Sequence, residues 1–214
     1  MHVAVIELLR CPVSHDATAL VATATRQQER RILEGTLGCP VCGATYPISG
    51  GVADFRGAAA ADVPGAAAEA PNDDAAIRLG AQLDLTEVGR LVLLCGEYAR
   101  LAPALSVMFD ALCVAVNAPS DLERHVAGHA SVLRVSTVVP LAAASMHGVV
   151  VDANHAKLLG IDGARALLRT GGRLVASASV PFPSALALLA QDQREWVGVR
   201  AAEATQLQRG RVLK

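Results

Sequence analysis

The apolar positions of this chain fall into two regimes. Before residue 57 they come in short alternating runs. After residue 74 they come as continuous blocks separated by mixed segments. The second regime reads Arg90–Cys95 (RLVLLC), Leu112–Val116 (LCVAV), Val132–Val135 and His147–Val151 (HGVVV) as strands without a polar face. Such strands belong to a parallel sheet covered on both sides. Between them the pattern predicts helices at Ala99–Phe109, Asp121–Ala127 and Ala156–Arg169. A helix entering at Ala75 would have Asp73 or Asp74 as its cap. Gly171-Gly172 is expected to break the chain before a strand at Arg173–Ala178. A helix after Pro183 and strands at Trp196–Arg200 and Arg211–Leu213 complete the prediction, the last two as an antiparallel edge. The fold class expected is α/β, with a Rossmann-like, mostly parallel sheet and a small N-terminal β domain.

Residues 57–71 (GAAAADVPGAAAEAP) are mostly Ala, Gly and Pro and carry no amphipathic period. They read as a linker. The expected division is therefore 1–56, a linker at 57–74, and 75–214.

Composition narrows the function classes. Nineteen basic residues face 20 acidic ones, so autonomous nucleic-acid binding by a broad basic face is not expected. The short basic end, Arg209, Arg211 and Lys214, reads as solvated. Apolar residues make up 52% but aromatics only 3%, so the core must be built from Ala, Val and Leu. The longest uncharged run, Leu174–Gln191, contains two prolines and several serines, and no membrane span is expected. The first residues lack the basic start of a signal peptide. Five cysteines, one CxxC pair among them, suit a reducing cytoplasm better than a disulfide framework.

Candidate chemistry begins at Cys11-Pro12-Val13-Ser14-His15 and Cys39-Pro40-Val41-Cys42-Gly43. Two CPxC knuckles would make a four-thiolate zinc site. Here Ser14 stands where one thiolate belongs. Cys11, Cys39 and Cys42 remain, with His15 beside the vacancy as a nitrogen ligand for a Cys3His site. The competing reading is a metal-free mini-core.

The strings Leu8-Leu9-Arg10-Cys11-Pro12, Leu33-Glu34-Gly35, Cys39-Pro40-Val41-Cys42 and Tyr46–Phe55 (YPISGGVADF) occur in order. Residues 1 to about 56 thereby resemble the zinc-ribbon activator subunit of methyltransferases that modify tRNA, rRNA and release factors. The resemblance implies a ribbon that docks on a class I methyltransferase by apolar contacts and sheet extension, without chemistry of its own. It also implies that the segment Met1–Leu9 needs a packing partner.

The remainder resembles a class I S-adenosylmethionine-dependent methyltransferase over roughly 76–200. The carriers are Leu91–Gly96, Val138–Leu141 with Ser145–Val151, and Leu167–Val175 (LLRTGGRLV). The resemblance places cofactor-contacting positions at Gly96, Tyr98 and Asn117. In the family the loop is G-x-G-x-G; here Tyr98 and Arg100 occupy the second and third glycine positions. Asn117 stands where a ribose-binding carboxylate is expected. Ser136 and Thr137 replace an adenine-contacting acid, and His147 replaces an aspartate before the fourth strand. S-adenosylmethionine is therefore not expected to bind. Tyr98 is read as filling the cofactor cleft.

No catalytic set is recognisable. Asp152 and His155, after the fourth strand, are the candidates for an acid–base pair; the competing reading makes Asp152 a helix cap. Cys95 and Cys113 read as buried structural thiols. The function expected is a non-catalytic, methyltransferase-like binding or scaffold protein. Its partner would be a methyltransferase or a second copy of itself. The alternative is an active methyltransferase on RNA or protein, activated in cis by the ribbon.

Overall fold

The computed structural model describes residues 1–57, 73–120 and 123–202. Its central feature is one 11-stranded sheet that runs through both regions of the chain. The N-terminal region contributes a short helix α1 (Val3–Ile6) and strands β1 (Val21–Gln28), β2 (Arg31–Gly38), β3 (Thr45–Ser49) and β4 (Val52–Asp54). These four strands form an antiparallel meander. The second region contributes α2 (Asp73–Gln82), β5 (Leu91–Cys95), a 3-10 segment Gly96–Leu101, α3 (Ala102–Phe109), β6 (Leu112–Val116), α4 (Glu123–His129) and β7 (Ser131–Arg134). It continues with β8 (Met146–Val151), α5 (Ala153–Leu159), α6 (Ile161–Leu167), β9 (Leu168–Ser177), β10 (Ala187–Gln191) and β11 (Glu195–Val199).

The order is β1-β2-β3-β4-β7-β6-β5-β8-β9-β11-β10. From β7 to β9 all neighbours are parallel, and the hairpin β10–β11 closes the edge antiparallel. The order reverses at β5, between β6 and β8. A topological switch point lies there, where α/β sheets place ligands.

The pleat explains the two cores. Leu93, Cys95, Val114, Val116, Val149 and Val151 face one cluster; Val92, Leu94, Cys113, Ala115 and Val150 face the other. The second cluster is covered by α2, α3 and α4. The first is shared: Leu9, Leu37, Ile48 and Phe55 from the N-terminal region join Val116, Leu133 and Leu141.

The junction is built from backbone as well. β4 lies parallel to β7, with Val52 opposite Val132, Ala53 opposite Leu133 and Asp54 opposite Arg134. The Phe55 amide donates to the Arg134 carbonyl at 2.8 Å. Leu9, fully buried, bridges Leu141; the Arg10 amide donates to Pro140 and the Ala142 amide to Leu8. Arg31 donates to the carbonyls of Ala127 and Ala130, and the His2 amide donates to Ser131 Oγ at 2.9 Å. The packing partner that Met1–Leu9 requires is thus the α/β region of its own chain.

Several local expectations are corrected. The helix expected over Ala156–Arg169 is two helices, divided at Gly160 (φ 67°, ψ 141°), and it ends at Leu167 because β9 begins at Leu168. Gly171-Gly172 does not precede a strand but lies inside one. A Cβ on Gly172 would sit 2.9–3.1 Å from the carbonyl oxygens of Arg169, His147 and Met146, so the glycine permits a close backbone approach. No helix follows Pro183 among the described residues; Ala187–Gln191 is the edge strand, because pairing with β11 overrides an Ala/Leu composition that reads as helical. Ala99–Phe109 begins as 3-10 and becomes α-helical at Ala102. Asp73 and Asp74 sit in the first turn of α2 rather than ahead of it. Residues 58–72 of the expected linker, Asp121, the basic end and the Arg211–Leu213 strand lie outside the described residues. No described helix is long and apolar enough to cross a membrane.

Candidate functional site

Two places gather chemistry. The first is the knuckle pair. Cys39 and Cys42 flank a tight turn in which the Gly43 amide donates to the Cys39 carbonyl at 3.0 Å and the Cys39 amide to the Ala44 carbonyl at 2.9 Å. Gly43 takes φ 72°, a left-handed position that glycine fills without strain. Cys11 and His15 arrive from the segment ahead of β1. The sulphurs of Cys11, Cys39 and Cys42 and a ring nitrogen of His15 all lie within 4.8 Å of one another. Cys11 and Cys39 are buried, His15 is half-buried and Cys42 is exposed.

The dimensions test whether a metal fits. Tetrahedral zinc with Zn–S of about 2.3 Å and Zn–N of about 2.0–2.1 Å requires S···S edges of about 3.8 Å and S···N edges of about 3.5 Å. Cys11 Sγ lies 3.7 Å from Cys42 Sγ, and Cys39 Sγ lies 3.5 Å from His15 Nε2. His15 Nδ1 is 2.7 Å from the Asp16 carbonyl, which can only accept. Nδ1 therefore carries the proton, and Nε2 turns its lone pair toward the sulphurs. The electrostatics agree. Backbone amides, first that of Cys42, bring the Cys39 thiol down to about 6. On Cys42 the Ala44 amide acts downward, but burial and the neighbouring sulphurs of Cys39 and Cys11 prevail and push it up. Three thiolates so close resist joint ionisation unless a cation lies among them. Tyr46, whose hydroxyl is 3.7 Å from Cys11 Sγ, completes the cluster and stacks on Phe55 with ring centroids 4.7 Å apart. Its role at the cluster was not visible in the spacing of the knuckles.

The second place is the carboxyl edge of the sheet at the switch point. Gly96 ends β5 with φ 58°. A Cβ there would lie 2.1 Å from Asp152 Oδ2 and 2.6 Å from the His155 ring. The side chains of Asp152 and His155 therefore lie directly against the Gly96 backbone. Asp152 caps α5, accepting from the His155 amide at 2.8 Å. Its carboxylate also meets His155 Nδ1 at 2.9 and 3.0 Å and accepts from the Glu97 amide. Burial pushes the Asp152 carboxyl up, but the bonds from His155 outweigh it and hold the group below its ordinary value. The helix cap and the Asp152–His155 contact coexist in one geometry.

Asn117 (φ 50°) turns its side chain to the end of β7: Nδ2 donates to the Val135 carbonyl at 3.1 Å and Oδ1 accepts from the Val135 amide at 2.9 Å. Its amide is spent on joining β6 to β7. Tyr98 is half-buried. Its hydroxyl donates to Glu195 Oε1 at 2.7 Å, at the start of β11, and its ring packs with the α2–α3 side of the core. Burial, then the Glu195 carboxylate, raises the phenol. Glu195 is itself buried and also holds Gln82 Nε2 at 3.1 Å and Arg78 Nη1 at 3.4 Å. Glu195 carries no sequence signal beyond being a carboxylate before a tryptophan. Arg100 is buried and paired with Glu97 at 2.6 Å. His147 Nδ1 accepts from the Leu91 amide at 3.1 Å, remote from this edge, and Ser136 and Thr137 are exposed. Cys95 and Cys113 are buried, and burial raises both thiols, Cys113 to about 12.

Comparison with known proteins bears on both places. Residues 3–51 match the family model described as Trm112p-like protein. No curated protein matches the chain. Similar solved structures include the antibiotic-resistance methyltransferase Kmr, 16% identical with a TM-score of 0.41, covering 64% of this chain and 98% of that one. A SAM-dependent methyltransferase from Geobacter sulfurreducens in complex with S-adenosyl-L-homocysteine is 16% identical with a TM-score of 0.37. It covers 48% of this chain, which spans only 46% of that one. An RNA methyltransferase from Salinibacter ruber, also with S-adenosyl-L-homocysteine, is 14% identical with a TM-score of 0.41, covering 64% of this chain and 96% of that one. These likenesses are weak, and the fold assignment rests on the strand order above. Residues 3–51 thus match the Trm112p-like family model, and the α/β region that follows is a mostly parallel sheet ordered β7-β6-β5-β8-β9-β11-β10.

Proposed function

We propose that this chain is a non-catalytic, methyltransferase-like binding or scaffold protein that acts by presenting its surface to a protein partner in the cytoplasm. The observation that carries the reading is self-occupation of the cofactor positions. Asp152 and His155 fill the approach to Gly96, Asn117 spends its amide on Val135, and Tyr98 is bonded to Glu195. A ligand entering here must displace part-buried bonds: those to the carboxylates of Asp152 and Glu195, worth about 1.5–3 kcal/mol each, and the neutral Asn117–Val135 bonds, worth about 0.5–1.5 kcal/mol each. The chain is proposed to divide into a ribbon at 1–56, a linker at 57–74 and the α/β domain at 75–214. The partner would be a methyltransferase or a second copy of this chain. The ribbon's edge strand β4 already extends the sheet of its own α/β domain, which favours a scaffold held together in cis.

Cys11, Cys39, Cys42 and His15 are proposed to hold structural zinc. Zinc there would supply cross-linking rather than chemistry, since four protein ligands leave no open position. A second reading, an active methyltransferase on RNA or protein, is favoured only by the Asp152–His155 pair, which stands at the sheet's carboxyl edge with the geometry of an oriented base. Thermal denaturation with S-adenosylmethionine separates the two. A ligand at 100 times its Kd stabilises by about 2.7 kcal/mol. An unchanged melting temperature supports the scaffold, and a rise of several degrees supports the enzyme.

A further inference from the structure

Beside α5 lies a cavity of about 360 Å³ whose lining includes neither Gly96 nor Asp152 nor His155. It is lined by Ala153, Ala156, Lys157, Ile161, Ser179, Val180 and Pro181. It stands at the carboxyl ends of two adjacent parallel strands: Ala153, Ala156 and Lys157 belong to the helix after β8, and Ser179–Pro181 to the segment after β9. The helix turns Asp152 and His155 toward Gly96 and Ala153, Ala156 and Lys157 toward this cavity, as their spacing on an α-helix requires.

Its walls are held in place. Trp196 Nε1 donates to the Val180 carbonyl at 2.7 Å, the Val180 amide donates to the Ser177 carbonyl at 2.9 Å, and Phe182 meets Trp196 edge-on with centroids 5.0 Å apart. Ala156 and Val180 are buried and form an apolar floor. Two polar groups complete the lining. Lys157 is exposed and has no acidic partner among the described residues. Ser179 Oγ is 3.0 Å from Ser177 Oγ, so one hydroxyl of that pair can donate outward.

An apolar, preformed cavity with one cation and one hydroxyl matches a ligand with an aliphatic body and a single carboxylate. The carboxylate answers the ammonium and the hydroxyl, and the body covers Ala153, Ala156, Ile161 and Val180. We propose that this cavity binds an aliphatic monocarboxylate, with Lys157 as its charge partner. The proposal is independent of whether the Gly96 edge accepts a cofactor.

The test is a titration of the full-length, isotopically labelled protein with octanoate, octylammonium and acetate, followed by amide NMR. Octanoate is expected to shift the amides of Ala153, Lys157 and Val180 saturably, with a Kd below about 1 mM. Octylammonium, with the same body and the opposite charge, and acetate, with the charge and no body, should each bind at least tenfold more weakly. Lys157→Glu, at an exposed site where folding is safe, should weaken octanoate at least tenfold. Ala153→Phe should fill the cavity and abolish binding. The proposal is overturned if octanoate shows no saturable shift at these amides. It is equally overturned if octylammonium binds as well as octanoate, or if Lys157→Glu leaves the octanoate affinity unchanged.

Discussion

Replacing Gly96 with alanine tests whether the loop is shaped around this chain's own carboxylate. The backbone at Gly96 is left-handed (φ 58°), which costs a residue with a Cβ about 1–2 kcal/mol. The new Cβ would lie 2.1 Å from Asp152 Oδ2, well inside contact distance, so the carboxylate must leave. Its departure forfeits the α5 cap, about 1 kcal/mol, and the bonds to His155 and Glu97, together about another 1–2 kcal/mol after allowing for partial exposure. Gly96→Ala should therefore cost about 3–5 kcal/mol, a large part of a typical domain's stability of about 5–15 kcal/mol. Asp152→Ala alone should cost about 2–3 kcal/mol. In the double variant the clash with the carboxylate is gone and the His155 ring, 2.6 Å from the new Cβ but no longer held by Asp152, can turn aside, so only the backbone strain of Gly96→Ala should be added. Urea denaturation of the four proteins at neutral pH measures the cycle. The double variant should be more stable than the sum of the singles predicts, by about 2 kcal/mol. Additivity within about 0.5 kcal/mol, the behaviour of independent sites, would refute the reasoning.

Three further outcomes are expected. Protein purified without a metal-binding tag should carry about one zinc per chain. A chelator should lower the melting temperature, and His15→Ala should weaken retention; less than about a tenth of a zinc excludes the structural site. Leu9→Ala, at a fully buried position bridging Leu141, should cost about 2–5 kcal/mol, and residues 73–214 expressed alone should be less stable than the full chain. A fragment as stable as the whole would show that the ribbon seam contributes nothing. Burial, then nearby arginines, lowers the pKa of His2 and His147, and both rings accept amide hydrogens through Nδ1. The unfolded state then binds more protons below pH 6.5, so stability should fall as pH drops from 7 toward 5. His147→Gln should flatten that slope.

The parallel part of the sheet was readable because its strands are continuous apolar blocks bounded by turns and helical segments. The β10 edge and the break at Gly160 were not. Ala187–Gln191 is helical by composition and becomes a strand only through pairing with β11, which lies later in the chain. The clustering of Cys11, His15, Cys39 and Cys42 was readable from the knuckle spacing. The fate of the altered cofactor positions was not. That Tyr98 reaches Glu195, 97 residues away, and that Asn117 bonds Val135 are consequences of strand order. From the resemblance, these residues are expected not to serve a cofactor in the usual way. Only the fold shows what these side chains meet: Tyr98 bonds Glu195, and the side chains over Gly96 are those of Asp152 and His155.

Calorimetry with S-adenosylmethionine and S-adenosylhomocysteine tests the central claim most directly, on the native chain and on Asp152→Ala with His155→Ala. The account predicts no measurable heat of binding to the native chain. A Kd below about 10 μM, roughly −7 kcal/mol, would contradict it. So would a native chain that binds and a double variant that does not, because Asp152 and His155 would then be holding the cofactor rather than replacing it.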